Sequence, residues 1–321
     1  MSKLLYYILY GFFYLISLLP YRVLYAISDI ILYPILYKLL NYRRTIVQSN
    51  LRHAFPDKSQ GDRAEIERKF YHFLCDYFME TIKLITVSKK ELMRRMVMKG
   101  TDEMYNSFDK NNMLFIYLGH FGNWEYIASL QWWMPSDVLC AQIYSALRND
   151  AFDLLFYKIR SRFGGMNIEK NISLRVIMDQ KRKEQKTIVG FIADQCPRWI
   201  NIHLFTPFLH QDTAVFTGTE RIARKVKASV FVSHITRPRR GYYECQYECL
   251  TLDVDKDFPE NELTKCYMRD LEHQIETNPH LWLWTHNRWH RQRTDNDAPE
   301  EWKATIKNGE IISETPIKNE Q

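Results

Sequence analysis

The sequence predicts an α/β fold, with a largely parallel central sheet flanked by helices and a membrane-anchoring helical segment at the amino terminus. Three observations carry this expectation. Residues 113–118 are an unbroken apolar run of strand length, and 187–193 read as a further buried strand, as a parallel sheet requires. The stretches between and around them have the helical period, and a succession of strand, helix and strand closes into a parallel sheet through right-handed crossovers. Finally, residues 4–19 contain no charge at all.

With 321 residues, 46% of them hydrophobic, the chain can bury a full core and is not disordered. The expected division is an anchor over 1–42, one catalytic domain over 43–294, and a polar acidic tail over 295–321. Charge follows the same division. Residues 1–44 carry five Lys and Arg against Asp29, residues 295–321 three Lys against seven acids, and the whole chain has a formal charge of +6. A basic body beside an apolar amino terminus suits an anionic lipid better than nucleic acid, although a mildly basic soluble surface explains the charge equally well.

The elements follow in order. As a helix, the sixteen residues 4–19 span about 24 Å, short of the roughly 30 Å hydrocarbon core, so they form either a short tilted span or an interfacial anchor. A second apolar run, 23–40, is interrupted by Asp29, Pro34 and Lys38. A cleaved secretory signal competes with this reading but lacks small residues at its end, and a buried helical hairpin is the plainer alternative. The positive charges that follow (Lys38, Arg43, Arg44, Arg52) put the body on the cytoplasmic side. Residues 62–87 read as an amphipathic helix.

Residues 113–118 form the first strand, and 124–133 a largely apolar helix. Between them lies Gly119-His120-Phe121-Gly122-Asn123-Trp124-Glu125. His120 should therefore sit at the carboxyl end of a buried strand, with Asn123 as helix N-cap and Glu125 in the first turn. A His and a Glu on one short loop are a base and its orienter, or else an ordinary buried His satisfied by an acid. Zinc fits less well, because the His-Glu-x-x-His spacing is absent and no further His or Cys lies at ligand spacing from His120; no metal is expected.

Further strands are expected at 138–144, 187–193, 229–235 and 242–250, and helices at 149–163, 172–184, 214–227 and 261–277. Residues 205–208 open a loop. The strands before His120 and Asp194 should end on the same edge of the sheet. Trp282, Trp284 and Trp289, among His286, Arg288 and Arg291, form either an aromatic and basic edge or a core strand with a charged flank. The six Cys form no Cys-x-x-Cys pair; a catalytic thiol at Cys196 would need a base that the sequence does not place, so a structural role is expected.

The His120 loop resembles that of the bacterial lipid A late acyltransferases, the lauroyl and myristoyl transferase family, and more distantly the lysophospholipid acyltransferase-like enzymes of glycerolipid synthesis. Four more blocks look like the family's pattern: Arg43 and Arg44 through Asn50 and Leu51 to Ala54, Phe55 and Pro56; Arg160 to Gly164; Ala193, Asp194 and Gln195; and Trp282 to Trp289. The resemblance spans roughly residues 5–292. It implies Arg162 as the functional Arg, with Arg160 less certain, and Asp194 as the functional Asp. After the second strand the family often has Tyr-Arg-Pro-Leu, where this chain has Tyr144, Ser145, Ala146, Leu147 and Arg148.

The expected chemistry is acyl transfer to an alcohol. An imidazole suits removal of the hydroxyl proton, so His120 is the base and Glu125, on its other nitrogen, the orienter. No Gly-x-Ser-x-Gly elbow occurs, which favours direct transfer without an acyl-enzyme. Backbone amides around Gly122 and Asn123 are the expected oxyanion donors, and Arg162 and Asp194 complete the substrate-binding set. The resemblance implies an acyl carrier protein thioester or acyl-CoA as donor, an anionic lipid A precursor as acceptor, no cofactor, and the cytoplasmic face of the inner membrane. A lipid hydrolase, disfavoured by the missing nucleophile, and a catalytically silent lipid-binding protein remain the alternatives, as does acylation of another membrane lipid.

Overall fold

The computed structural model describes residues 2–147, 149–303, 305–307 and 310–312. Among these residues the main sheet has seven strands: β1 (Met96–Lys99), β2 (Met113–Leu118), β3 (Leu139–Tyr144), β4 (Met166–Glu169), β5 (Thr187–Ile192), β8 (Ser229–Arg239) and β9 (Tyr242–Thr251), in the order β1-β9-β8-β2-β5-β3-β4. The hairpin of β6 (Phe205–Phe208) and β7 (Gln211–Ala214) stands apart. Five strands run one way, while β9 and β1 run the other.

The central strand, β2, has parallel neighbours on both sides and is buried at every position. That is why its sequence is apolar without alternation, each large side chain contributing about 1.5–3 kcal/mol. The short edge strands β1 and β4 were not expected, since a run of four residues is too short to carry a strand signal. Nor was β6, because Pro207 reads as a loop; an edge hairpin accepts it, with Leu209 and His210 at positive φ in the turn. With β7 ending at Ala214, the following helix begins later than expected, at Gly218.

In chain order the helices are α1 (Ser2–Leu18), α2 (Tyr21–Ile27), α3 (Arg44–Ala54), α4 (Gln60–Lys83), α5 (Lys89–Arg95), α6 (Thr101–Asn106), α7 (Trp124–Ile127), α8 (Asp150–Ser161), α9 (Ser173–Arg182), α10 (Gly218–Val226), α11 (Val254–Asp257) and α12 (Glu262–Thr277). Residues 28–39 continue α2 in wider turns, and this second segment is bent by 116° from α1. No single helix among the described residues is long and apolar enough to cross a membrane; the bent pair passes that test only jointly. The segment is not a buried hairpin either. It packs on α4 and α8 while Leu4 (67% exposed), Leu15 (66%), Ile30 (73%) and Leu39 (74%) face outward.

Polar side chains pin this segment to the body. Ser28 donates to Asp76 at 2.8 Å, and Arg240 bridges Asp29 and Asp76. Arg240 sits in the β8–β9 turn, where Gly241 has φ +75 and a Cβ would lie 1.8 Å from the Tyr25 hydroxyl, so the close approach requires glycine. At the other end, the expected polar tail is attached at its start: Trp302 is buried, its ring 5.3 Å from that of Phe205. Residues 313–321 lie outside the described residues.

Candidate active site

Register brings the two key groups together. Leu118 at the end of β2 pairs with Ile192 at the end of β5, so the residues two steps beyond, His120 and Asp194, emerge side by side at the carboxyl edge of the sheet. The His120 amide donates to Asp194 Oδ2 at 2.8 Å, the His120 Nδ1 lies 2.6 Å from Oδ1, and the Trp282 indole donates to Oδ2 at 2.8 Å. Burial alone would raise the Asp194 carboxyl. The adjacent His120 charge and these donors outweigh it and hold the group at about 2, so Asp194 is an anion despite being only 2% exposed. In the neutral imidazole, an ionised acceptor at Nδ1 assigns the single ring proton there and leaves the lone pair on Nε2. Nε2 lies 3.4 Å from the Gln195 carboxamide nitrogen.

Glu125, expected to orient His120, has a different partner. Its carboxylate is 3% exposed and takes both arms of Arg160, at 2.9 and 2.5 Å. Burial would lower the Arg160 guanidinium, but Glu125 more than offsets this and keeps it charged. The orienter's position on the imidazole belongs to Asp194, because the helical turn after Asn123 carries Glu125 toward α8 and α4, where the Tyr77 hydroxyl also approaches it at 3.5 Å.

Two other expected roles, those of Arg162 and of the Gly122 amide, are displaced. Arg162 points away from the motif loop and donates to the Leu84 and Val87 carbonyls at 2.7 and 2.6 Å, closing the end of α8 onto the α4–α5 turn. Residues two apart on a helix face opposite ways, so only one of Arg160 and Arg162 can reach Glu125. The Gly122 amide is not free for an oxyanion, since it donates to the Leu281 carbonyl at 2.9 Å. Gly122 itself is required by its φ of +59 and by Ile235, whose Cγ2 would lie 2.5 Å from any Cβ. Asn123 does cap α7, accepting from the Tyr126 amide at 3.1 Å, but its other arm donates to buried Glu80 at 2.7 Å. Its side chain is structural. Arg148 lies outside the described residues.

A cleft of about 270 Å³ opens beside Gln195 and Trp124, walled further by Phe78, Leu283, Thr285 and His286. The Trp124 ring lies edge-on to His120 at 5.2 Å. The far wall is the Trp282 segment, tied to the motif loop by a Phe121–Trp282 bridge and by the Leu283 amide, which donates to the His120 carbonyl at 3.0 Å. Burial, with help from Arg288, pushes His286 down to about 4, so its Nε2 is neutral and accepts from the Cys196 amide at 3.0 Å. The Cys196 thiol is engaged elsewhere, with the Pro197 carbonyl and Arg291. Sequence reasoning missed Trp282 as a partner of Asp194; nothing in a Trp-rich run tells which indole faces a carboxylate 88 residues earlier.

The site thus holds an oriented imidazole next to a cleft of mixed polar and apolar lining, in contact with its Gln195 and Trp124 walls, an arrangement able to take a proton from a hydroxyl. Comparison with known proteins gives the family. The family model described as bacterial lipid A biosynthesis acyltransferase matches residues 1–291. A lipid A biosynthesis acyltransferase of Haemophilus influenzae is 21% identical over 247 residues, covering 75% of this chain and 74% of that protein. The chain therefore belongs to the bacterial lipid A biosynthesis acyltransferase family and is an acyltransferase.

Proposed function

We propose that the protein moves a fatty acyl chain from an acyl carrier protein or CoA thioester to a hydroxyl of an anionic lipid A precursor. The observation that carries this reading is the His120–Asp194 pair, which leaves Nε2 as a base beside a cleft with neither Ser nor Cys in its lining. His120 Nε2 takes the proton of the acceptor hydroxyl as its oxygen forms a bond to the thioester carbonyl carbon. Asp194 stabilises the imidazolium without taking its proton. The tetrahedral intermediate then loses the C–S bond, and the departing thiolate takes the proton from Nε2, giving an ester and a free thiol. Gln195, whose carboxamide nitrogen is near Nε2, is the proposed oxyanion donor in place of the Gly122 amide.

The same reading places the protein at the cytoplasmic face of the inner membrane, held by the exposed apolar faces of α1 and residues 28–40. Leu4, Ile8 and Leu15 share one side of α1 and are all more than half exposed. Changing the three to Glu should move the protein from the membrane pellet to the soluble fraction. Activity is tested with purified protein, an acyl carrier protein thioester and a lipid A precursor. A product heavier by one acyl group supports the reading, whereas acylation of an aminolipid or lysophospholipid alone would move the assignment to another acceptor.

A further inference from the structure

Arg43 is the one cation in the lining of the transfer cleft, among walls that are otherwise aromatic, aliphatic or neutral. Three other arginines near the cleft spend their charge on carboxylates, while Arg162, Arg288 and Arg291 are taken up by backbone carbonyls. The neighbouring Arg44 is bound to Glu67 at 2.5 Å, Arg160 to Glu125, and Arg237 to Asp76. Arg43 has no carboxylate partner among the described residues. One arm donates to the Thr285 carbonyl at 3.0 Å, and the residue is otherwise exposed.

The position is built. Arg43 adopts a left-handed backbone conformation, φ +53, unusual for a residue with a Cβ and tolerated here because both flanks are fixed. On one side, the Tyr71 hydroxyl donates to the Tyr42 carbonyl at 2.5 Å. On the other, Asn50 of α3 donates to the Trp284 and His286 carbonyls at 2.8 and 2.7 Å. The Thr285 carbonyl that receives Arg43 is thus on the same segment whose Leu283 amide is bonded to His120. This chain of contacts ties the guanidinium to the segment that is bonded to the base, and it leaves the other N–H donors without a protein partner among the described residues.

We propose that Arg43 is the anion-recognising group of the cleft and takes a phosphate ester of one of the two substrates, an inference that rests on the acyl-transfer reading above. The planar fork of a guanidinium matches two phosphate oxygens, and a cleft lined by aromatic, aliphatic and neutral polar groups with one unneutralised cation at its wall fits an amphiphile with an anionic head. Two sources carry that chemistry: a phosphate on the saccharolipid acceptor, and the phosphodiester of the donor's pantetheine arm.

The test compares wild type, Arg43→Ala and Arg43→Lys in steady-state transfer. Acceptor is supplied with and without its phosphate, and donor as the carrier-protein thioester or as acyl-pantetheine lacking phosphate. Arg43→Ala should raise KM for the phosphorylated substrate about 10–100-fold with a smaller effect on kcat, and leave KM for its phosphate-free counterpart unchanged. Arg43→Lys should recover part of the loss. Whichever substrate's KM moves identifies the source. Equilibrium binding of the radiolabelled phosphorylated acceptor and of the carrier-protein thioester to the three proteins is measured separately. Loss of phosphate-dependent binding in Arg43→Ala would support the inference even if no transfer occurred, in which case the transfer reading alone fails. Active wild type with the same phosphate dependence in Arg43→Ala would overturn the inference and spare the transfer reading.

Discussion

His120 and Glu125 sit five residues apart on one loop, yet they belong to different networks. His120 looks across the sheet edge to Asp194 and Trp282, groups brought there by strand register and by the bridge at Phe121. Glu125 looks back into the helical layer, where Arg160 of α8 neutralises it beneath the site. The first pairing leaves a lone pair toward the cleft; the second closes on itself. Closeness in sequence placed both residues in the motif, but the turn at Asn123 decides which neighbour each one meets. A carboxylate near a histidine is therefore an orienter only if the strand order puts it on the ring.

The contrast is broken most directly at His120. His120→Ala should lower the transfer rate about 10²–10⁴-fold, and a folded variant that keeps most of its activity would remove the base from the account. Asp194→Asn comes next. The Asn oxygen would turn to the two N–H donors, the His120 amide and the Trp282 indole, leaving its NH₂ group against the ring. That forces the proton onto Nε2 and removes the lone pair, so a loss of up to about 10⁴-fold in kcat is expected with little change in unfolding temperature.

Glu125→Gln should instead act through stability, since it leaves Arg160 buried with half of its acceptor. About 1–3 kcal/mol should be lost in denaturant unfolding. Glu125→Gln with Arg160→Gln should recover much of it, and additive losses would mean that the pair is not the unit described. A further effect, confined to acid pH, concerns two buried histidines. Burial holds both His280 and His286 at about 4, against 6.5 for a free imidazole. The unfolded chain therefore binds these protons first as pH falls. Stability is full above about 6.5 and declines toward 4, and His286→Asn should flatten that decline in melts across this range.

The strands that carry the site were legible because parallel, doubly covered strands leave continuous apolar runs: β2 matches the expected residues 113–118, and β5 ends one residue before expected. The meeting of His120 and Asp194 at one edge was legible for the same reason. What was not legible is long-range side-chain choice. The Arg160–Glu125 pair spans 35 residues, and Asp194 with Trp282 spans 88. Periodicity says which face a residue occupies, not which partner stands opposite. The reversed edge strand β1 was invisible for another reason: Met96–Lys99 becomes a strand only because β9 offers it a free edge.

The central claim is that Asp194, not Glu125, sets the protonation of His120. It is tested by ¹⁵N NMR of the imidazole, assigned by difference against His120→Ala, in wild type, Asp194→Asn and Glu125→Gln near pH 8. The account predicts the Nδ1–H tautomer in wild type and in Glu125→Gln, and the Nε2–H tautomer in Asp194→Asn. An unchanged Nδ1–H signal in Asp194→Asn together with its loss in Glu125→Gln would contradict it.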